Sequence, residues 1–255
     1  MQRFTMGQMV FGRLDRRMRN GTLGEFVVAS QNGVVPLRTG VSVDDAAAVG
    51  TAALSAYQSI VPFVKGLENP AIFINGGSGG VGTWAIQIAK VLGAEVSASC
   101  SGSNEELVRE LGADHVLDYT KVDVIEGLTK VGPVFDLVID NVGTPTNLYK
   151  ESEHFLKPNG RYVQVAASVS FLSGAQMMDK MLRPTWMGGG KRPFSFLSFK
   201  TRQDDLAQLA KWQAEGKIKA IIDEVFEYED APKAIEKLKT GHVKGKLVIH
   251  VARGS

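Results

Sequence analysis

The chain has 255 residues, of which 44% are hydrophobic and 22% charged, and its 29 Lys and Arg nearly balance 27 Asp and Glu, giving a formal net charge of +2. This composition is typical of a globular protein and argues against a disordered or fibrous chain. The charge balance predicts no nucleic-acid partner, because phosphate backbones are bound by concentrated basic surfaces. One cysteine, Cys100, excludes an internal disulfide and is typical of a reducing compartment.

The sequence predicts neither a membrane partner nor secretion. No continuous apolar run comes near the roughly 20 residues that cross a bilayer. Residues 1–12 lack the continuous apolar segment of a secretory signal. We therefore expect an intracellular, cytoplasmic protein.

The first 60 residues are predicted to hold short β-segments and then a helix. The β-segments are expected at residues 9–11 and 23–28, around a basic run at residues 13–19. A helix is expected from Ser42, because Ser42 and Asp45 have nearly the spacing of a capping box. The clustered Arg13, Arg16, Arg17 and Arg19 leave nucleic-acid binding as a third hypothesis, although such a run is usually a solvated loop.

From residue 70 onward, predicted strands and helices alternate. The strands are expected at residues 71–74, 95–100, 115–117, 135–140 and 161–165, and the helices at residues 83–92, 105–111, 122–130 and 146–156, with a turn at residues 157–160. This alternation predicts an α/β fold with a doubly wound parallel sheet, because right-handed crossovers join parallel strands. Ligands of such sheets bind at the carboxyl ends of the strands.

The C-terminal third mixes helices, strands and one long loop. Helices are expected at residues 204–215 and 231–239, and strands at residues 220–226 and 246–251. Residues 184–199, rich in Gly, Lys, Ser and Phe, are predicted to form a loop near the ligand crevice. Within this loop, residues 188–190 have the composition of a mobile linker. Three phenylalanines are interpreted as a core or interface patch; these are Phe194, Phe196 and Phe199.

A glycine-rich turn at residues 75–82 joins the first alternating strand to its helix. Glycines let the backbone approach a pyrophosphate closely, and a helix N-terminus presents free N–H groups and a positive dipole end to the negative charge. Such a string alone is weak evidence, since it also makes plain turns, but the flanking strand and helix favour a nucleotide site. The predicted cofactor-binding residues here are Gly76, Gly77, Ser78, Gly79, Gly80, Val81 and Gly82.

Several motifs in order resemble one family. They are Ile-Asn-Gly-Gly-Ser-Gly-Gly-Val-Gly at residues 74–82, Ala-Ile-Gln-Ile-Ala-Lys at 85–90, Gly-Ala-Glu-Val at 93–96, Glu-Leu-Gly-Ala-Asp at 110–114, Asp-Asn-Val-Gly at 140–143 and Gly-Lys-Leu-Val-Ile at 245–249. Together they resemble the zinc-free quinone oxidoreductase branch of the medium-chain dehydrogenase/reductase superfamily. The resemblance implies a Rossmann domain at residues 47–194 and a partial GroES-like catalytic domain from residues 1–46 and 195–255.

The resemblance to a Gly-Asp-x-Val-Phe-Gly element at residues 7–12 implies that most of the N-terminal part of the GroES-like domain is absent from this chain. In the family, that part supplies one wall of the substrate pocket and contacts to the nicotinamide. One hypothesis is therefore a zinc-independent reductase that passes a hydride from NADPH to a small-molecule quinone or α,β-unsaturated carbonyl. The other is a catalytically silent NADPH-binding or interaction protein. An organelle stays open as a location, because the N-terminus looks incomplete.

No metal site is expected. Zinc enzymes of the superfamily use Cys and His ligands that a chain with one cysteine cannot supply. Thr51 stands where a zinc enzyme would place a ligand cysteine. The four histidines are distant in sequence and are expected to be surface or core residues; they are His115, His154, His242 and His250.

The end of the second alternating strand indicates NADP as the cofactor. NAD enzymes usually carry Asp or Glu there for the ribose hydroxyls, whereas residues 100–104 read Cys-Ser-Gly-Ser-Asn, so no carboxylate repels a 2′-phosphate. A plain polar turn is the alternative interpretation. The resemblance adds a tyrosine after the third strand, matched by Tyr119, with Lys121 nearby. The candidates here are Cys100, Ser101, Ser103 and Tyr119.

The resemblance assigns the chemistry to the nicotinamide rather than to a side-chain nucleophile, so no catalytic residue is named. Ser55 matches a threonine that contacts the nicotinamide carboxamide in relatives, with helix packing as the alternative. The backbone after the fourth and fifth strands is expected to flank the nicotinamide ribose, with loop capping as the alternative for Asn141; the candidates are Asn141, Val142, Val165, Ala166 and Ala167. Tyr57 and Tyr162 are predicted to be core residues, and Asp136 and Asp140 to be solvated groups at strand ends.

The resemblance also implies a homodimer joined through the edges of the Rossmann sheets. Residues 165–199 contain the expected edge and are apolar enough to allow it; the apolar side chains are Phe171, Leu172, Met177, Met178, Met181 and Leu182.

Overall fold

A computed structural model describes residues 4–14, 21–165, 189–198 and 200–251. The cofactor candidates Ala166 and Ala167, the apolar residues predicted for a dimer interface and most of the basic run lie outside the described residues. The chain divides into two compact units, one formed by Met1–Leu54 with Phe199–Ser255 and the other by Ser55–Ser198. The assignment of the first unit to a partial GroES-like domain stays a prediction.

The described elements follow one another in this chain order: β1 (Val10–Gly12), β2 (Val34–Pro36), α1 (Val43–Val64), β3 (Ala71–Asn75), α2 (Gly82–Val91), β4 (Glu95–Cys100), α3 (Glu105–Glu110), β5 (His115–Asp118), α4 (Val124–Val131), β6 (Phe135–Asp140), β7 (Leu156–Gln164), β8 (Phe194–Phe196), α5 (Gln203–Ala214), β9 (Ile222–Glu227), α6 (Ala231–Lys239) and β10 (Lys246–His250). Short 3₁₀ turns lie between some of them, at Gln31–Gly33, Gly102–Asn104, Lys150–His154 and Tyr228–Asp230.

Six parallel strands form the sheet of the second unit, in the order β5-β4-β3-β6-β7-β8. The chain moves outward from β3 through β4 to β5 and then returns to the other side of β3 for β6. With right-handed crossovers, this reversal places helices on both faces and opens a crevice between β3 and β6. The predicted α/β doubly wound fold is confirmed.

The sheet is held by strands that are apolar on both faces. Ile72, Phe73 and Ile74 of β3 have no exposed surface, as expected for a central parallel strand covered on both sides. One layer of the core joins α4, the strands and the segment before β7; its buried members are Phe73, Val124, Leu128, Phe135, Val138, Leu148, Tyr149, Phe155, Leu156 and Tyr162. Burying each large side chain contributes about 1.5–3 kcal/mol.

Three predictions in this unit are wrong. Residues 146–156 do not form an α-helix; they hold turns and the 3₁₀ helix at Lys150–His154. The turn predicted at residues 157–160 lies inside β7, where the pairing with β6 shifts register. Part of the loop predicted at residues 184–199 is strand β8, whose Phe194 ring packs 4.7 Å from the ring of Tyr149.

In its described residues, the first unit contains two small sheets, an antiparallel pair of β1 and β2 and a parallel pair of β9 and β10. The predicted strand at residues 23–28 is absent from these described residues, and the Phe26 side chain there is 92% exposed. The reason is that β-propensity acts through pairing, and β1 pairs with β2 instead. Gln203 of α5 donates to the carbonyl oxygens of Gln31 and Val34 and so ties α5 to β2.

Helix α1 begins at the predicted capping box. The Ser42 Oγ accepts a hydrogen bond from the Asp45 N–H at 3.0 Å and donates to Asp45 Oδ2 at 2.7 Å. By its length and composition alone, this helix is long and apolar enough to cross a membrane. The expectation that no apolar run comes near the roughly 20 residues that cross a bilayer is therefore wrong for residues 43–64. More than half of its apolar stretch is buried, and core helices of globular proteins have the same length and composition. Gly50, at φ −1° and ψ −109°, interrupts the helix.

Candidate functional site

The glycine turn follows β3 and leads directly into α2. Gly76 has φ +81°, and a Cβ built on it would lie 2.6 Å from Val142 Cγ2. A Cβ on Gly82 would lie 2.7 Å from the carbonyl oxygen of Gly77 and would also collide with that of Gly76. Side chains are therefore excluded at both ends of the turn, which packs backbone against backbone.

Ser99 of β4 anchors the turn to the sheet. Its carbonyl oxygen accepts a hydrogen bond from the Gly77 N–H at 2.7 Å, and its Oγ accepts one from the Gly76 N–H at 3.0 Å. The Ser99 hydroxyl in turn donates to Asn75 Oδ1 at 2.7 Å. The amides of Gly76 and Gly77 are thus used internally. The Gly79 and Thr83 N–H groups also donate within the turn, to the carbonyl oxygens of Gly76 and Gly79, so a bound anion would be held by the other amides of the turn.

The start of α2 supplies donors of the right kind. Val81 is the N-cap residue, and no side chain of the described chain caps the helix there. An uncapped helix N-terminus has free N–H groups and a positive dipole end, the combination that binds phosphate. The Thr83 hydroxyl in the first turn is buried and has no hydrogen-bond partner within the described residues. The turn therefore fits a pyrophosphate in shape and in charge.

Asp140 lies at the centre of a buried polar network at the end of β6. Its Oδ1 accepts hydrogen bonds from Asn75 Nδ2 at 2.9 Å, from the Val142 N–H at 3.1 Å and from the Gly143 N–H at 2.8 Å. Its Oδ2 accepts one from the Tyr162 hydroxyl at 2.7 Å. The prediction of a solvated strand-end group is wrong, because the Asp140 side chain has no exposed surface.

This network joins four neighbouring strands at their carboxyl ends, from Ser99 in β4 through Asn75 in β3 and Asp140 in β6 to Tyr162 in β7. Tyr162 is a core residue, as predicted. Burial, together with the adjacent Asp140 carboxylate, raises the pKa of Tyr162 well above its ordinary value, so its hydroxyl stays a donor. The glycine turn and the loop after β6 are thereby held to one rigid polar layer.

The loop after β6 presents an unsatisfied amide. Both side-chain amide atoms of Asn141 are inaccessible to solvent and have no hydrogen-bond partner in the described part of the chain. A buried amide without partners costs free energy unless a ligand supplies the missing bonds. Val142 beside it is 49% exposed and covers Gly76. The two predicted residues of this loop therefore lie next to the glycine turn.

The turn after β4 holds the residues predicted to meet the adenosine ribose. The hydroxyls of Ser101 and Ser103 lie 3.0 Å apart and are exposed, and Asn104 Nδ2 donates to Ser78 Oγ at 3.1 Å, linking this turn to the glycine turn. Cys100 is buried, and burial is the main cause that raises the pKa of its thiol to about 11. Cys100 thus presents a protonated, packed thiol.

The remaining predicted residues are placed as follows. Tyr119 is half exposed, and its N–H donates to the Cys100 carbonyl oxygen at 3.1 Å. The Val165 N–H donates to the Asp140 carbonyl oxygen at 2.9 Å, so it follows β7 beside the network. Ser55 is buried in α1, where only 4% of its surface is exposed. Three polar residues that contribute to this site were not predicted from the sequence: Asn75, Ser99 and Asp118. Their positions at or next to the ends of predicted strands could have indicated them.

Among the residues that the structure describes, no group of three or more His, Cys, Asp or Glu side chains is arranged to hold a metal ion. A cleft of about 820 Å³ lies in the first unit, where residues of β1, α1 and β10 line it. Lys246 is one of the lining residues, and its burial lowers the pKa of its ammonium group. None of the predicted cofactor residues that the structure describes lines this cleft.

The fold and the turn define a class, a dinucleotide-binding α/β protein of the Rossmann type. Comparison with known proteins narrows this class to one family. Residues 111–249 match the family model described as zinc-binding dehydrogenase. The chain belongs to this family, and its relatives place it among the quinone oxidoreductase-like members of the medium-chain dehydrogenase/reductase superfamily.

Similar proteins include a trans-enoyl reductase and an NAD(P)H oxidoreductase. The chain is 47% identical over 250 residues to a trans-enoyl reductase, pgmF, of Aspergillus terreus, covering 96% of this chain and 69% of that protein. It is 36% identical over 252 residues to the human mitochondrial NAD(P)H oxidoreductase RTN4IP1, covering 91% of this chain and 62% of that protein. A quinone oxidoreductase of Coxiella burnetii superimposes with a TM-score of 0.83 at 29% identity, covering 98% of this chain and 74% of that one. Reductases of this superfamily bind a nicotinamide cofactor.

Proposed function

We propose that this chain binds NADPH at the glycine turn and uses it, without zinc, to reduce a quinone or an α,β-unsaturated carbonyl. The observation that carries the proposal is the turn itself, where Gly76 and Gly82 leave no room for side chains and the N-terminus of α2 is uncapped within the described chain. The names of the relatives, a trans-enoyl reductase and an NAD(P)H oxidoreductase, support the same class of chemistry.

The bound nicotinamide would supply the hydride, so the work of the protein is to hold and orient it. The amides of the glycine turn and of Gly82, the first residue of α2, would hold the pyrophosphate. The free amide group of Asn141 would complete its hydrogen bonds on the cofactor, and the Asp140 carboxylate fixes the loop that carries Asn141. Because Asp140 accepts bonds from two elements, the turn and the loop keep one relative position.

The preference for NADPH over NADH is part of the proposal. The exposed hydroxyls of Ser101 and Ser103 are hydrogen-bond donors suited to a 2′-phosphate. No carboxylate is present in the turn that contains them, residues 101–104.

NADPH titration of the chain tests binding, with the rise in NADPH fluorescence as the readout and NADH as the comparison. NADPH oxidation over a panel of quinones and enals then tests turnover, with the 47% identical trans-enoyl reductase as the positive control. We expect saturable NADPH binding and consumption of NADPH with at least one acceptor. No binding of either nucleotide would overturn the proposal.

A second candidate function is that of a catalytically silent NADPH-binding protein. The 255-residue sequence spans 69% and 62% of the lengths of the two relatives above, so turnover is measured on it separately from binding. This candidate predicts NADPH binding of the same strength without oxidation by any acceptor of the panel. Turnover by the 255-residue chain would eliminate it.

A further inference from the structure

The sheet places a carboxylate beside the turn that is expected to meet the adenosine ribose. Asp118 ends β5 and pairs in register with Cys100, the last residue of β4. A Cβ built on Gly102 would lie 2.5 Å from Asp118 Oδ2, so the carboxylate packs directly against the backbone of this turn. The sequence of residues 100–104 contains no acidic residue, and the neighbouring strand supplies one.

The two oxygens of Asp118 have different partners. Oδ1 accepts hydrogen bonds from the Thr120 hydroxyl at 2.6 Å and from the Thr120 N–H at 3.0 Å. Oδ2 is inaccessible to solvent and accepts no directed hydrogen bond from any described residue, but it forms an ion pair with Lys121 Nζ at 3.1 Å. The Thr120 hydroxyl is the main cause that lowers the pKa of Asp118 to about 2, so the group is an anion at neutral pH.

Lys121 is a basic side chain beside this turn, where its Nζ would lie 3.7 Å from a Cβ built on Gly102. Its side chain is 74% exposed and Asp118 is its ion-pair partner. Arg109 of α3 is also near Cys100, but its guanidinium is held by Glu105 through contacts of 3.0 Å and 2.8 Å. A phosphate arriving at Ser101 and Ser103 would therefore meet Lys121 as the available cation.

We infer that Asp118 and Lys121 together set the choice between NADPH and NADH, with Lys121 as the specificity-determining residue. This inference rests on the proposed NADPH site. Paired with Lys121, Asp118 is neutralised and the turn accepts a 2′-phosphate. Without Lys121, the charge of the carboxylate is no longer neutralised; it repels the 2′-phosphate of NADPH and does not penalise NADH, which lacks that phosphate.

The test measures dissociation constants of NADPH and NADH for the 255-residue chain and three variants. Lys121→Met is expected to weaken NADPH binding about tenfold while NADH binding stays equal or strengthens, because a charge-assisted contact contributes on the order of that factor. Adding Asp118→Asn to Lys121→Met is expected to recover part of the NADPH affinity. Displacement of NADPH by 2′,5′-ADP and by 5′-AMP assigns the change to the 2′-phosphate.

Lys130→Met is the matched control. Lys130 is 69% exposed and pairs with Glu126, one helical turn away, at 2.6 Å. Its substitution removes the same charge and a comparable ion pair, but at a place that is not part of the ribose turn. We expect both dissociation constants to stay unchanged. The inference is overturned if Lys121→Met leaves the ratio of the two constants within about twofold of the unsubstituted chain, or if Lys130→Met shifts it equally. An unsubstituted chain that binds neither nucleotide overturns the proposed function as well.

Discussion

Asp140 owes its role to its surroundings rather than to its residue type. A carboxylate at the end of a strand and next to a turn has the same local sequence pattern whether it is solvated or buried. Here its partners are Asn75 and Tyr162, which come from two other strands, 65 and 22 residues away in sequence. With four donors, the carboxylate is one of the best-satisfied buried groups at the site, and it orders both the turn and the loop.

Tyr162→Phe tests this network. The substitution keeps the ring in the core and removes the one donor to Asp140 Oδ2, leaving a buried carboxylate oxygen unsatisfied. We expect the free energy of unfolding to fall by about 1–3 kcal/mol. Urea denaturation in the absence of nucleotide measures it. Tyr119→Phe, at a half-exposed hydroxyl, is expected to change stability by less than about 0.5 kcal/mol, and equal stability of both variants would contradict the role given to Asp140.

Three polar residues of the site were not predicted from their local sequence; they are Asn75, Ser99 and Asp118. They are the last or next-to-last residues of β3, β4 and β5. Their side chains act across the sheet, and a single sequence does not reveal which strands are neighbours. The glycines could be predicted because the string itself, between an apolar strand and a helix, is a local sequence pattern.

At the scale of elements, the turn between β3 and α2 depends on glycine in two different ways. Gly76 needs a positive φ, and Gly82 needs the absence of a Cβ. Gly79 is different, since a Cβ there would lie an ordinary 3.6 Å from the Gly76 carbonyl oxygen. The glycines of the string are therefore not equivalent.

Gly82→Ala is expected to destabilise the protein by about 1–3 kcal/mol or more, because the new Cβ meets backbone atoms that cannot move aside. It is also expected to abolish NADPH binding, since the start of α2 shifts. Gly79→Ala, the matched variant, is expected to keep the unfolding temperature of the unsubstituted chain. Thermal unfolding and NADPH titration measure both effects, and equal stability of the two alanine variants would refute this distinction.

His250 at the end of β10 links that strand to the first turn of α1. Its Nε2 lies 2.8 Å from Asp44 Oδ1, and this hydrogen bond is the main cause that raises the pKa of His250. A raised pKa in the folded state means that folding favours the protonated ring. The stabilisation is therefore complete below about pH 6.5, the ordinary histidine value, and is lost as the pH rises through the higher folded-state pKa.

We expect the unfolding temperature of the unsubstituted chain to exceed that of His250→Gln near pH 6 and the difference to shrink toward pH 9. Thermal unfolding at a series of pH values measures it. His242→Gln, at a histidine for which the structure shows only a backbone N–H bond to Thr240, is the control. A difference that stays constant with pH would argue against a protonated His250.

At the scale of the whole molecule, the strands and helices of the second unit were easier to predict from sequence patterns than those of the first unit. The second unit has long apolar strands alternating with helices, a pattern with few possible topologies. The first has short strands, and one of its predicted strands, at residues 23–28, is absent from those described residues. Short β-segments have no definite structure until a partner strand is known.

A homodimer of this chain is a prediction at the same scale. The apolar residues on which it depends lie outside the described part of the structure, so the prediction rests on the sequence and the family. We expect light scattering after size-exclusion chromatography to give twice the 27.5 kDa of one chain. A single species at the mass of one chain, over a range of protein concentrations, would rule it out.

The sequence by itself determined the α/β class with its doubly wound parallel sheet, and the position of the phosphate-binding turn. These follow from local chemistry, namely apolar periodicity, helix caps and the glycines between β3 and α2. Only the tertiary structure decided that Asp140 is buried among four donors and that Asp118 with Lys121 borders the ribose turn. The physical reason is that parallel pairing brings together strand ends that are tens of residues apart, and that proximity sets the charge and hydrogen bonding of the site.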